Sequence, residues 1–168
     1  VVEGVQGISW TEIVIVGQSA HAGTTPMRLR HDPVYCAGAI ATYVRDLTRH
    51  LGAEQVGTVG RIDVYPNLVN VVPARVVLTV DLRNTDARVL QEAESRLATF
   101  LDELAGMEGV SITTNSLARF EPVEFDGIEE VRVDLDETLD IALRARPEIL
   151  ASSRGVQARQ INERIRTL

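Results

Sequence analysis

Two hydrophobic periods alternate along this chain of 168 residues. Over residues 8–17 the side chains alternate, with Ile13 and Ile15 on one face and Val14 and Val16 on the other, which predicts a β-strand. A helical period begins after Asp32-Pro33, an N-cap followed by proline at the first helical position. Ala37, Ile40, Val44, Leu47 and Leu51 then form one apolar stripe, and Gly52 is placed to end it. The Val-, Thr- and Ile-rich stretch Gln55 to Tyr65 predicts a second strand, broken by Pro66-Asn67. Asn70-Val71-Val72-Pro73 reads as an extended connection. A third strand is predicted from Arg75 to Arg83. It aims Val76, Leu78, Val80 and Leu82 at a core and leaves Val77, Thr79, Asp81 and Arg83 on a wet or ligand-facing side. Asp86 is the next N-cap. Leu90, Ala93, Leu97, Phe100, Leu101 and Leu104 line the second helix, with Gly106 or Gly109 as its stop. Val110 to Thr114 predicts a fourth strand.

Strand, helix, strand, strand, helix, strand is the α+β, ferredoxin-like βαββαβ order. It implies a four-stranded antiparallel sheet with two helices on one face. The other face must be polar or covered. The chain divides at residue 125, into a domain over 1–125 and a helical C-terminal appendage over 126–168. In the appendage Asp134 and Glu137 form a capping box, and Leu135, Leu139, Ala142 and Ala145 make a stripe. Its acidic first half and arginine-rich end read as solvated faces of a packing or association element.

An apolar content of 45% supports a proper core, and no apolar run approaches membrane-spanning length. A net charge of -7 argues against nucleic acid as a partner. All 17 basic residues are arginine. Cys36, alone and on a helical stripe, reads as a small core residue. It calls for no oxidising compartment, so a soluble, cytoplasmic protein is expected.

The candidate chemistry lies in the strand-to-helix loop Gly17-Gln18-Ser19-Ala20-His21-Ala22-Gly23-Thr24-Thr25-Pro26-Met27. Small residues flank His21, so a ligand could approach closely. Two further polar residues stand at strand ends or connections, Asn70 and Arg83. Arginine can grip a carboxylate through two parallel hydrogen bonds, asparagine supplies a donor and an acceptor, and histidine can donate to a developing oxyanion. The set would suit a small substrate with a carboxylate and a hydrolysable carbonyl. The same residues also read as a turn histidine, an Asn70 turn cap, and an Arg83 paired with Asp81 or Asp86.

The loop, followed by Arg30 and Asp32, resembles a hallmark of the zinc-dependent N-carbamoyl-L-amino-acid hydrolases, relatives of allantoate amidohydrolase and β-ureidopropionase in the dinuclear-zinc aminoacylase and carboxypeptidase superfamily. Thr58-Val59-Gly60, Pro66-Asn67, Asn70-Val71-Val72-Pro73 and Asp81-Leu82-Arg83 match in order. The resemblance covers about residues 1–125 and implies the family's lid, or dimerisation, domain, inserted into a catalytic domain with two divalent metals, usually zinc and sometimes manganese or nickel. It implies that His21 reaches across a homodimer to stabilise an oxyanion, and that Asn70 and Arg83 hold the carboxylate of an N-carbamoyl or ureido acid. Gln18, Gly23 and Thr24 would shape the loop. No metal-ligand spacing appears in this chain, so it is expected to carry no cofactor and to be inactive alone. The segment 126–168 is atypical for the family. A stand-alone ferredoxin-like module for a small ligand, or a pure assembly element, is the other reading of the pattern.

Overall fold

The computed structural model describes residues 3–52 and 54–125. The main elements are β1 (Gly7–Val16), α1 (Pro33–Leu51), β2 (Val56–Tyr65), β3 (Arg75–Asn84), α2 (Ala87–Glu108) and β4 (Ser111–Phe120). The helices start and stop where local chemistry directs. Asp32 stays extended and accepts the N–H groups of Val34 at 2.9 Å and Tyr35 at 3.3 Å, while Pro33 occupies a position that needs no N–H. Asp86 caps α2 in the same way through Arg88 and Val89. Gly109, left-handed at φ 64°, closes α2. A side chain there would also meet the His31 ring at 2.7 Å, so glycine serves both the turn and the close packing.

The four strands form one antiparallel sheet in the order β2-β3-β1-β4. Alternation decides its two faces. Ile13, Ile15, Val76, Leu78, Val80 and Leu82 point inward and are at most 2% exposed. They join Cys36, Ile40, Val44 and Leu47 of α1 and Leu90, Ala93, Leu97, Leu101 and Leu104 of α2 in one core. Each large aliphatic side chain so buried contributes about 2 kcal/mol relative to exposure. Asn84 and Gln55 are the buried polar pair. Asn84 Nδ2 donates to Gln55 Oε1 at 3.0 Å, and Asn84 Oδ1 accepts the Asp86 N–H at 2.8 Å. The start of β2 is thereby tied to the start of α2 with the polar groups satisfied.

The structure extends and corrects the expected elements. The fourth strand runs ten residues, to Phe120 rather than Thr114. Its later positions pair with β1 up to Ile8 opposite Phe120, across a bulge between Trp10 and Thr11. Polar Asn115 and Ser116 on this edge strand hide the alternation from the sequence. Val77, expected on the wet side, is 7% exposed. The connection after Pro66 is more ordered than expected, since Val71–Val72 forms a short ladder with Ala20–His21. A second ladder joins Gly4–Val5 to Val123–Glu124. The helical appendage expected over 126–168 lies outside the described residues.

Candidate functional site

The end of β1 hands the chain into the His21 loop. Gly17 donates its N–H to Ala74 O at 2.8 Å, and Gln18 donates to His31 O at 3.0 Å. A Cβ on Gly17 would collide with His31 O, so the approach requires glycine. His21 then pairs with Val71, and the Ala22 N–H donates to Asn70 O at 2.9 Å. The main-chain ladder thus brings His21 and Asn70 together, and both residues are exposed to solvent. Past His21 the chain turns: the Thr25 N–H donates to His21 O at 3.1 Å, and a 3₁₀ turn follows over Met27–Leu29. Gln18, Gly23 and Thr24 of the same loop are exposed. The Gly23 N–H donates to His21 Nδ1 at 3.0 Å.

Arg83 is elsewhere. Strands β1 and β3 are antiparallel, with Val16 opposite Arg75 and Ile8 opposite Arg83. The His21 loop leaves from the Val16 end, so Arg83 lies eight residues of strand away, about 27 Å at the usual rise. The Arg83 guanidinium donates from Nε and Nη2 to the Asp81 carboxylate at 2.8–3.1 Å. Its central carbon lies 5.8 Å from the centre of the Trp10 ring. The hydrogen bond to Asp81, with the charge behind it, raises the Arg83 pKa above its ordinary value. The pairing with Asp81 anticipated from the sequence is therefore present, while Asp86 is occupied as the α2 cap.

Asp81, Arg83 and Trp10 share the outer face of the sheet with Glu12, Val14 and Thr79. Trp10 is 41% exposed, an unusual position for an indole on an open sheet. Sequence reasoning passed over Trp10, although the register of alternation already placed it on the Arg83 side. It also gave no role to Arg30, whose contacts become visible only once the loop is folded. A shallow groove of about 630 Å³ lies between the helices, lined by Tyr35, Gly38, Thr42, Tyr43 and Phe100, and holds none of the candidate residues. Among the described residues no three His, Cys, Asp or Glu side chains gather to hold a metal ion. No helix among them is long and apolar enough to cross a membrane.

Residues 4–107 match the family described as the peptidase dimerisation domain, and the chain belongs to that family. Its relatives narrow the group. The N-carbamoyl-L-amino acid amidohydrolase of Geobacillus stearothermophilus is 37% identical over 123 residues, covering 73% of this chain and 30% of the relative. The allantoate amidohydrolase of Escherichia coli K12 is 37% identical over 108 residues, 62% of this chain and 26% of the relative. A crystal structure of a hydantoinase/carbamoylase family amidase from Burkholderia multivorans superposes with a TM-score of 0.72 at 35% identity, over 74% of this chain and 30% of that one. The chain thus spans about 30% of the length of such relatives and corresponds to their dimerisation domain.

Proposed function

We propose that residues 1–125 act as the lid and dimerisation domain of a homodimeric amidohydrolase that cleaves the linear C–N bond of an N-carbamoyl-L-amino acid or related ureido acid. In this reading the hydrolytic metals, zinc or manganese, are held by a catalytic domain outside this chain, and this domain supplies binding and oxyanion contacts. His21 donates to the oxyanion, while Asn70 and Arg83 bind the substrate's carboxylate. The family and the names of the relatives support the reaction class.

The observation that carries the arrangement is the separation of the two ends of the sheet. A small ureido acid cannot touch His21 and Arg83 of one chain when about 27 Å of strand lies between them. If these residues serve one substrate, they come from two chains: His21 with Asn70 from one, Arg83 from the other. The topology favours this. Strand β2 is an edge of the sheet, with Ile62 49% exposed upon it, and an edge offers unpaired backbone groups to a second copy. Antiparallel pairing of β2 with its twin about a two-fold axis would set the His21 end of one chain level with the Arg83 end of its partner.

Complementation tests this. Residues 4–125 would replace the matching stretch of the Geobacillus enzyme, and differently tagged His21→Ala and Arg83→Ala chains would be co-expressed. Each single-variant dimer is expected to lose activity on N-carbamoyl amino acids by about 10²-fold or more. A mixed dimer would keep one site with both residues intact and recover about half of the unsubstituted activity, as the symmetry of a two-site dimer requires. Purified mixed dimers no more active than the single variants would refute the shared site.

A further inference from the structure

Arg30 is the one cation of the His21 loop that spends its charge on the main chain. Its Nη2 donates to Ala22 O at 2.6 Å and its Nε to Thr25 O at 3.0 Å. The side chain is half-buried, and among the described residues it pairs with no carboxylate. The two carbonyls stand on either side of Gly23 and Thr24. The Ala22 carbonyl is the more telling partner, because it belongs to the same peptide unit as the Gly23 N–H. That unit is planar, so fixing its oxygen fixes the direction of its N–H. The N–H is aimed at His21 Nδ1, 3.0 Å away. A ring nitrogen that accepts a hydrogen bond carries a lone pair and no proton, so the neutral ring bears its hydrogen on Nε2. A charge-assisted bond at the carbonyl also polarises the amide and strengthens it as a donor. Gly23 completes the arrangement, since a Cβ there would press on the ring at 3.3 Å from Cε1.

We propose that Arg30 is the positioning residue of this loop: through the Ala22–Gly23 peptide it locks His21 as the neutral Nε2–H tautomer, leaving one proton free to donate away from the loop. The lock deepens the oxyanion-donor reading of His21 and rests on it. A ring so held presents a donor and no free base, which suits hydrogen bonding to a developing oxyanion and excludes proton abstraction through Nδ1. Lysine could not replace Arg30, because a single ammonium lacks the rigid fork that reaches two carbonyls.

Nitrogen NMR on the uniformly labelled 168-residue chain reads the lock directly. The expected result is a through-hydrogen-bond coupling between the Gly23 nitrogen and His21 Nδ1, with Nε2 protonated. Arg30→Gln and Arg30→Lys are both expected to abolish the coupling and to move the ring signals to the averaged pattern of a free imidazole, with the amide spectrum of the sheet unchanged. A His21 protonated at Nδ1 in the unsubstituted chain would overturn the proposal, as would ring signals indifferent to both substitutions. The outcomes separate from those of the functional reading. A lock that is present while His21→Ala leaves the chimeric enzyme fully active would sink the donor role alone. A His21-dependent enzyme without the coupling would sink the lock alone.

Discussion

The two ends of the sheet are built by different means. At the His21 end, main-chain hydrogen bonds do most of the work: a two-residue ladder, a turn, a glycine amide on the imidazole and an arginine fastened to two carbonyls. At the Arg83 end, side chains on one face of the sheet hold one another, with Asp81 gripping the guanidinium beside the Trp10 ring. A loop held by its own backbone keeps its shape while its side chains face solvent. A strand residue keeps its direction only through neighbours on the same face. The first end therefore holds its imidazole through the main chain. The second presents a guanidinium already engaged by a carboxylate of its own strand.

The core is what the ends share, so the largest effect comes from breaking it. Leu78 is fully buried at the centre of β3, between the two ends. Leu78→Ala is expected to cost about 3 kcal/mol. The cost should appear as a lower urea midpoint with the protection of both ends lost together. Loss at one end only would mean that the ends fold separately.

Cys36 probes the helix end nearest the His21 loop. Burial pushes its thiol from 9.0 up to about 11, with the Glu108 and Asp32 carboxylates adding to the rise. An unfolded thiol ionises first as pH rises, while the folded one stays protonated. Its contribution to stability is thus intact below about pH 9 and is lost as the pH climbs from there towards 11. Urea midpoints measured at pH 8, 9, 10 and 11 should fall in that window, and a Cys36→Ala chain should fall less. In the native chain at pH 8 the thiol should resist alkylation until denaturant is added.

The smallest effect is expected at the Arg83 end. Asp81 and Arg83 are both partly exposed, and such pairs contribute less than about 1 kcal/mol. Asp81→Ala should leave the urea midpoint nearly unchanged. In the chimeric enzyme it should change KM more than kcat, because the guanidinium then has no internal carboxylate to exchange. A drop in stability of several kcal/mol would show that the pair is structural and would remove the contrast between the ends.

The extent of β4 shows one limit of local reading. A strand whose outer half is polar becomes a strand only by pairing with β1. The ladder between Ala20–His21 and Val71–Val72 shows another, since fifty residues separate its halves and neither is long enough to announce itself.

By itself the sequence determined what depends on neighbours along the chain. It set the two capped helices, the alternation that separates core from wet face, the element order, and the loop motif that places this chain in its family. Those features follow from backbone geometry and side-chain chemistry within a few residues. Only the tertiary structure decided that Asn70 stands beside His21 while Arg83 lies at the far end of the sheet, that Asp81 holds Arg83 beside Trp10, and that Arg30 bonds two carbonyls of the loop. Those relations depend on which strands pair and in which register, and register is a property of the whole sheet.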